Sequence, residues 1–210
     1  MKNKFSFILI LTGAVLILSA LFLCLYNIIE DKKSGENAAQ VLDVLKNEII
    51  VSEETKKAVL PETTDILSEK TTAEAKMPEK QVENYSYIGY ISIPELNIEL
   101  PVMSDWSYAG LNISPCRYSG RAADDNLIIA AHNYNSHFRR ISKLNSGDEI
   151  YFTDIDGNVY SYEVTSTEII NGNDASAMYN DDDNSWDLTL FTCTLDGRNR
   201  ITVRAVTADA

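Results

Sequence analysis

Three residues of this chain have the types and the placement for nucleophilic attack on a carbonyl group. Cys193 ends the apolar run LTLFT (188–192), His132 follows the run NLIIAA (126–131), and Arg200 begins the last apolar run of the sequence. A cysteine thiolate is a strong nucleophile, and an imidazole transfers protons near neutral pH. A guanidinium stays charged and can hold a carbonyl oxygen while negative charge develops on it. These residue types are consistent with covalent acyl transfer.

Each of these residues also has an ordinary structural explanation. A cysteine at a strand end is commonly a small buried hydrophobe, and an arginine at a strand end is commonly solvated. A histidine at the start of a loop is commonly a hydrogen-bonded structural residue. Two further residues compete for the same roles: His137 is the second choice for proton transfer, and Arg198 is the second choice for the arginine. Residue types alone suggest the chemistry without deciding it.

The elements that position these residues are short strands. From about residue 85, runs rich in Ile, Val, Tyr, Thr and Phe alternate with turns such as DGN (156–158) and DGRN (196–199). About eight strands in residues 85–210 predict an all-β domain, either an antiparallel sandwich or a closed barrel, with only short helices. If runs 188–193 and 200–206 pair as a hairpin, Cys193 and Arg200 face each other.

The N-terminal segment predicts a membrane anchor. Phe5 to Ile29 is a run of 25 uncharged residues, long enough to cross a hydrocarbon core of about 30 Å. It is longer than the apolar part of a cleaved signal peptide. Lys2 and Lys4 favour a cytoplasmic N-terminus, which places everything after residue 30 outside the cell. We therefore expect residues 1–29 to be a cytoplasmic tip and a transmembrane helix.

Residues 30–84 predict a polar extracellular stalk between the anchor and the β-domain. Most of this segment is rich in Glu, Lys and Thr, and it contains no aromatic residue. Such a composition buries too little apolar surface to offset the entropy of the chain. Residues 38–50 (AAQVLDVLKNEII) have apolar positions at near-helical spacing, so a short amphipathic helix could form there.

Composition excludes several other classes of protein. The chain has 18 Lys and Arg against 31 Asp and Glu, a net charge of −13, which argues against nucleic-acid binding. Three cysteines are too few for a disulfide scaffold or a zinc ribbon. Asp181, Asp182 and Asp183 form an acidic cluster, and Asp154 and Asp156-Gly157 form a fragment of a calcium loop. We interpret both as solvated acidic turns, and we expect no metal and no cofactor.

Several motifs resemble the sortases, the cysteine transpeptidases that join surface proteins to the cell wall of Gram-positive bacteria. The run TLFTC (189–193) resembles the TLxTC signature of that family. IGYISIPELNIELPV (88–102) resembles its opening strands, and 126–132 resembles the strand that leads to its histidine. Phe138 and LNSGD (144–148) resemble the segment that follows, and RITVRA (200–205) resembles the closing strand. The resemblance covers about residues 86–206 and implies a closed eight-stranded sortase-type barrel.

The resemblance also implies roles and partners. Cys193 is the implied nucleophile, His132 the general acid and base, and Arg200 the stabiliser of substrate and oxyanion. Thr192 is implied to hold the substrate backbone, although strand packing would also explain it. The implied substrates are secreted surface proteins that carry a C-terminal sorting motif of the LPxTG type. An amine of a peptidoglycan precursor is the implied acceptor of the new carboxyl group.

The resemblance leaves the sortase class open. Asp105-Trp106 is similar to the lid of pilin-polymerising sortases, but it lacks the proline, and no second apolar helix follows the last strand. This favours wall anchoring of a class B or class D type over pilin polymerisation. Cys116 lies in a loop that runs near the substrate groove in sortases, so a reversible disulfide with Cys193 is an alternative to a structural thiol. The rival functions are a non-catalytic, membrane-tethered β-domain and an L,D-transpeptidase, whose glycine-rich surroundings of the cysteine this chain lacks.

Overall fold

The computed structural model describes residues 2–58, 77–179 and 186–208. A long N-terminal helix, α1 (Lys2–Ala58), precedes the strands, and a second, one-turn helix, α2 (Tyr108–Leu111), lies among them. The strands are β1 (Lys80–Val82), β2 (Tyr85–Ile93), β3 (Ile98–Met103), β4 (Cys116–Ser119), β5 (Leu127–Ala130), β6 (Glu149–Asp154), β7 (Val159–Asn171), β8 (Leu188–Cys193) and β9 (Asn199–Thr207). Short 3-10 helices span Pro94–Leu96, Ala122–Asp124, Phe138–Lys143 and Ser176–Met178.

Eight of these strands form a closed barrel. The hydrogen-bonded order around it is β2-β3-β4-β5-β8-β9-β7-β6, and β6 pairs back onto β2. The β3–β4 and β5–β8 pairs are parallel, and the other pairs are antiparallel. Strand β1 is an addition that pairs with the first residues of β2. The predicted all-β, closed eight-stranded barrel with short helices is confirmed.

The interior of the barrel explains why these segments form strands. Branched apolar side chains fill it, and Ile91, Ile129, Leu190 and Val203 are fully buried. Residues of this type pack well on a pleated sheet, and burial of each side chain contributes about 1.5–3 kcal/mol. The parallel pair β5–β8 runs through this core, so the carboxyl ends of these two strands emerge at the same edge of the barrel.

Helix α1 has two unlike halves. The first half is the apolar run, whose side chains are largely exposed, with a mean hydropathy of 2.8 over 18 residues. By length and composition it is able to cross a membrane. In the second half, Ala38, Leu42, Leu45 and Ile49 are buried at spacings of three and four residues, which places them on one face of the helix. This face packs mainly on β3.

The segment expected to be a stalk therefore includes a helix that lies on the barrel. Two ion pairs flank the buried stripe, Lys46 with Glu99 at 2.6 Å and Lys80 with Glu48 at 3.1 Å. The apolar spacing of residues 38–50 gives the physical reason, because a helix with such a stripe buries it against another element. Residues 59–76, the middle of the expected stalk, lie outside the described residues.

Candidate active site

Cys193 and Arg200 face each other at the end of the β8–β9 hairpin. The antiparallel register pairs Cys193 with Arg200, as the sequence predicted. A tight turn joins the strands, in which the Thr194 hydroxyl accepts a hydrogen bond from the Asn199 amide at 3.1 Å. Gly197 has φ +71°, a left-handed conformation that glycine adopts without steric cost. The turn thus fixes the nucleophile candidate and the arginine relative to one another.

His132 reaches the same edge from the neighbouring strand. Strands β5 and β8 are parallel with Ala130 beside Phe191, so His132 and Cys193 each follow that pair by two residues. The first residue past β5, Ala131, donates its amide to the Phe191 carbonyl at 3.1 Å and extends the ladder by one step. Because the two strands end together, the sequence positions of His132 and Cys193 translate into proximity in space.

The three residues line one cavity, which we call the Cys193 groove. It has a volume of about 280 Å³, and its wall includes Cys193, His132, Arg200 and Thr192. The rest of the wall is mainly apolar and aromatic: Trp106, Tyr108, Leu111, Tyr118, Met178 and Phe191. The aromatic rings stack edge to face, with Tyr118 and Phe191 centroids 5.3 Å apart. Such a wall suits apolar side chains of an extended peptide.

The His132 imidazole is held by Asn112, in the loop after α2. Nε2 of His132 and Oδ1 of Asn112 are 3.0 Å apart, and since a carbonyl oxygen only accepts, Nε2 donates. This leaves Nδ1 as the basic nitrogen of the neutral ring. Burial lowers the pKa of His132 below its usual value of 6.5, which favours that neutral form at pH 7. A neutral imidazole can accept the proton of a thiol.

Asn133 connects the histidine loop to the backbone of the cysteine. Its side-chain amide donates to the Cys193 carbonyl at 2.6 Å. Arg139 in turn donates from Nε to the Asn133 side-chain oxygen at 3.2 Å. The loop after His132 is therefore tied directly to the end of β8.

Within residues 2–58, 77–179 and 186–208, the Arg200 guanidinium is anchored through one nitrogen only. Nη1 donates to the carbonyls of Gly197 and Asn199 at 3.2 and 3.0 Å. Over the described part of the chain, Nε and Nη2 make no hydrogen bond, so two of its nitrogen atoms keep donors for a ligand in the Cys193 groove. Anchoring through the turn reduces the rotamer freedom that the side chain would lose on binding.

Thr192 carries a buried hydroxyl without a partner. The residue is 1% exposed and lines the Cys193 groove, and among the described residues its Oγ1 has no hydrogen-bond partner. An unpaired buried hydroxyl costs free energy that a hydrogen bond with a ligand would recover. Thr192 is thus suited to a polar contact with a bound backbone.

The alternative residues lie elsewhere. His137 is fully buried, and its Nε2 is 3.1 Å from the hydroxyl of Ser34 on α1. Burial lowers the pKa of His137 to about 4, with a further lowering from His132. Neither His137 nor Arg198 lines the Cys193 groove. His132 and Arg200 are therefore better placed than their competitors for chemistry at Cys193.

Cys116 is a buried thiol in the wall of the barrel. It is fully buried, and burial raises its pKa to about 12. Cys116 lies beside Ala130, which lies beside Phe191, so β5 separates the strand of Cys116 from that of Cys193. Two strand spacings are about 9.6 Å, beyond the roughly 7 Å that a disulfide allows between Cα atoms. The disulfide alternative is therefore wrong.

A second, larger cavity of about 840 Å³ lies beside the β8–β9 turn. Its wall includes Asn133, Arg139, Glu168, Thr194 and Asp196, but none of the three predicted residues.

The carboxylate of Asp154, part of the calcium-loop fragment, accepts hydrogen bonds from Asn158. Asp181, Asp182 and Asp183 lie outside the described residues.

Sequence reasoning missed Asn112 and Asn133. The position of Asn133 immediately after the candidate histidine was a usable signal. Asn112 gave none, because it lies 20 residues before His132 and only the folded β4–β5 hairpin brings the two together.

Comparison with known proteins identifies the family. The sortase domain model matches residues 91–208. A sortase A of Bacillus anthracis is 29% identical over 170 residues, covering 78% of this chain and 74% of that protein. A sortase A of Listeria monocytogenes is 30% identical over 122 residues, which is 54% of each protein, so that match spans about half of the relative.

The similarity extends to solved structures. The sortase D5 transpeptidase of Clostridium perfringens has a TM-score of 0.60 at 21% identity, covering 83% of this chain and 99% of that one. At this level of identity the likeness shows the fold. The relatives carry class A names and this structure a class D name, which leaves the class of the present chain open. Because the domain model covers more than half of the sequence, the chain belongs to the sortase family of cysteine transpeptidases.

Proposed function

We propose that this protein is a membrane-anchored transpeptidase that transfers surface proteins to a cell-wall amine through a thioester on Cys193. The observation that carries the proposal is the meeting of Cys193, His132 and Arg200 at one groove, two of them as a cross-strand pair. A non-catalytic binding domain would have no need for these three residues at one site.

The proposed acylation follows from the atoms at this site. The Cys193 thiol gives its proton to the neutral imidazole of His132, and the thiolate attacks the carbonyl of the threonine in the sorting motif. Arg200 donates hydrogen bonds to the oxygen that becomes negative. The His132 imidazolium then protonates the departing amine, which leaves with the C-terminal fragment. The remaining acyl group is bound to the sulfur as a thioester.

The proposed second half reverses these transfers. An acceptor amine loses a proton to His132 as it attacks the thioester, and the thiolate of Cys193 leaves and takes that proton back. The acyl energy is conserved in the thioester, so the new amide forms without ATP. We assign the acceptor to a peptidoglycan precursor.

The proposed substrate is an LPxTG-like sorting motif. The apolar and aromatic wall of the Cys193 groove suits leucine and proline side chains, and the unpaired hydroxyl of Thr192 suits the motif's backbone. The apolar half of α1 is the proposed anchor, with Lys2 and Lys4 in the cytoplasm and the barrel outside.

The proposal is tested with the full chain in detergent micelles and a pool of LPxTG-like peptides. Intact-mass measurement should show an acyl adduct on the wild type that an added amine releases, and none on the Cys193→Ala variant. If no peptide forms an adduct and Cys193 also resists thiol reagents, the protein is a binding domain and the proposal fails.

A further inference from the structure

One turn of α1 forms hydrogen bonds with the loop that follows His132. We call residues 133–137 the histidine loop. The carboxylate of Asp31 accepts hydrogen bonds from the backbone amides of Asn135 and Ser136, both at 3.0 Å, and from the Ser136 hydroxyl at 2.6 Å. Burial alone would raise the pKa of Asp31, but these hydrogen bonds outweigh it and hold the pKa below its usual value. The carboxylate stays charged and binds the loop strongly.

One turn further along α1, Ser34 contacts both the histidine loop and the loop after α2, which contains Asn112. Ser34 is 2% exposed, and its hydroxyl donates to the Asn112 carbonyl at 2.6 Å. The same hydroxyl is 3.1 Å from Nε2 of His137, from which it accepts. Asn112 is the residue whose side chain orients His132. A continuous path of hydrogen bonds therefore runs from α1 through Asn112 to the imidazole.

Gly35 allows this close approach. A Cβ atom at Gly35 would lie 2.8 Å from the Cβ of Ser136, closer than side-chain carbons come in real structures. Glycine costs about 1 kcal/mol relative to alanine inside a helix. Its presence in the interior of α1 therefore has a structural reason, which is contact with the histidine loop.

We propose that residues 31–35 of α1, acting through Asn112 and the histidine loop, position the His132 imidazole, so that full activity requires the anchor helix docked on the barrel. This inference rests on the proposed role of His132 as acid and base. Asp31 follows the apolar run by two residues, so the contact lies where the helix leaves the proposed membrane segment. Anchor and active site would then form one unit.

The test introduces a negative charge at position 112 and measures how strongly it raises the pKa of His132, because this rise depends on the distance between the two side chains. In Asn112→Asp, a carboxylate replaces the amide 3.0 Å from Nε2 and should raise the pKa of His132 by about one to three units. The other titratable or charged groups around the ring include Tyr134, His137 and, in the Cys193 groove, Cys193 and Arg200, with Asp31 beyond them. The full chain in micelles has only two histidines, so NMR of labelled imidazoles reports His132 directly.

The reporter is then combined with changes in α1. Gly35→Ala adds a methyl group that clashes with Ser136, so α1 must move away from the histidine loop. Ser34→Ala removes the hydrogen bond to the Asn112 carbonyl. In both backgrounds the pKa rise caused by Asn112→Asp should shrink to less than half. Gly13→Ala is the matched control, because it is the same change in the same helix, and no residue that the structure describes lies within 4 Å of the new Cβ. There the rise should remain complete.

Kinetics give a second readout. Gly35→Ala alone should lower kcat about ten- to a hundredfold with KM little changed, since no groove residue is altered. Gly13→Ala should leave both constants unchanged. If the pKa rise is the same in Gly35→Ala and Gly13→Ala, α1 does not position His132 and the inference is overturned. Because the NMR result needs no turnover, it separates this failure from failure of the proposed function.

Discussion

Cys193 and Arg200 are the last residue pair of the β8–β9 ladder. Directly opposed residues of antiparallel strands have Cα atoms about 4.5–5.5 Å apart, so the backbone itself sets the spacing of sulfur and guanidinium. The short turn between them holds Nη1 of Arg200 through the carbonyls of Gly197 and Asn199. A charged donor is thus fixed beside the proposed nucleophile before substrate arrives, which is what stabilisation of a developing oxyanion requires.

Arg200→Ala should lower kcat/KM by about 10²- to 10³-fold, the loss typical of one oxyanion donor. Arg200→Lys should recover little, because an ammonium keeps the charge but not the planar set of donors. Arg198→Ala is the matched control in the same turn, and it should retain activity, since Arg198 lies outside the Cys193 groove. Steady-state kinetics with a cleaved peptide measure all three. Loss in Arg198→Ala with activity retained in Arg200→Ala would reverse the assignment.

Thiol chemistry should be confined to Cys193. In detergent micelles, which cover Cys24 in the apolar half of α1, a charged alkylating reagent at pH 7.5 should add once to the full chain, and the addition should disappear in Cys193→Ala. It should persist in Cys116→Ala, because burial raises the pKa of the Cys116 thiol to about 12 and no solvent reaches it. Intact mass and peptide mapping provide the measurement. Modification at Cys116 in the folded protein would contradict the structure.

Stability should fall as the pH is lowered from 6.5 towards 4. His137 is buried with a pKa of about 4, against 6.5 in an unfolded chain. Between these values the unfolded state binds more protons, so the contribution is complete above pH 6.5 and is lost as pH falls. At pH 5 the loss should be about 2 kcal/mol in the free energy of unfolding.

Denaturant unfolding at pH 7 and at pH 5 measures this effect. His137→Gln, which keeps an amide for the Ser34 hydroxyl, should remove most of the difference between the two pH values. Carboxylates with lowered pKa values, such as Asp31, lose their contribution only at lower pH, whereas His132, whose pKa burial also lowers, adds a loss in the same pH range that His137→Gln leaves in place. An equal pH dependence in wild type and His137→Gln would exclude His137 as the cause.

Local rules predicted the all-β domain and the pairing of Cys193 with Arg200, whereas the choice of a closed barrel over a sandwich came from the resemblance to the sortases. Alternation along the strands and the DGRN turn fix the hairpin register. The place of His132 was predictable for a related reason, since an apolar run ends at the residue before it. In each case residues close in the sequence carried the information.

The docking of α1 depends on contacts that the sequence does not display. The letters KKSGEN around Ser34 and Gly35 are typical of a turn, since serine and glycine are weak helix formers. They remain helical because Ser34 satisfies two loop groups and Gly35 admits Ser136 at close range. The role of Asn112 was also not predictable from the sequence, because its side chain meets His132 only in the folded barrel.

Thr192 on β8 and Thr202 on β9, where it pairs with Phe191, allow a comparison of a hydroxyl beside the groove with one that is only buried. Both residues are nearly inaccessible, and neither Oγ1 has a hydrogen-bond partner among the described residues. Replacing each by valine, which has the same shape, should therefore stabilise the protein by about 1 kcal/mol. Only Thr192 lines the Cys193 groove, so only Thr192→Val should lose activity.

For Thr192→Val we expect a higher Tm together with a kcat/KM about tenfold lower, because the substrate backbone loses one hydrogen bond. Thr202→Val should show the higher Tm with kinetics unchanged. Thermal unfolding and peptide cleavage on the same preparations measure both quantities. A gain in stability together with a loss of activity in Thr192→Val would indicate that the hydroxyl is left unpaired in the free protein in order to bind substrate. Full activity in Thr192→Val would instead assign this hydroxyl to strand packing.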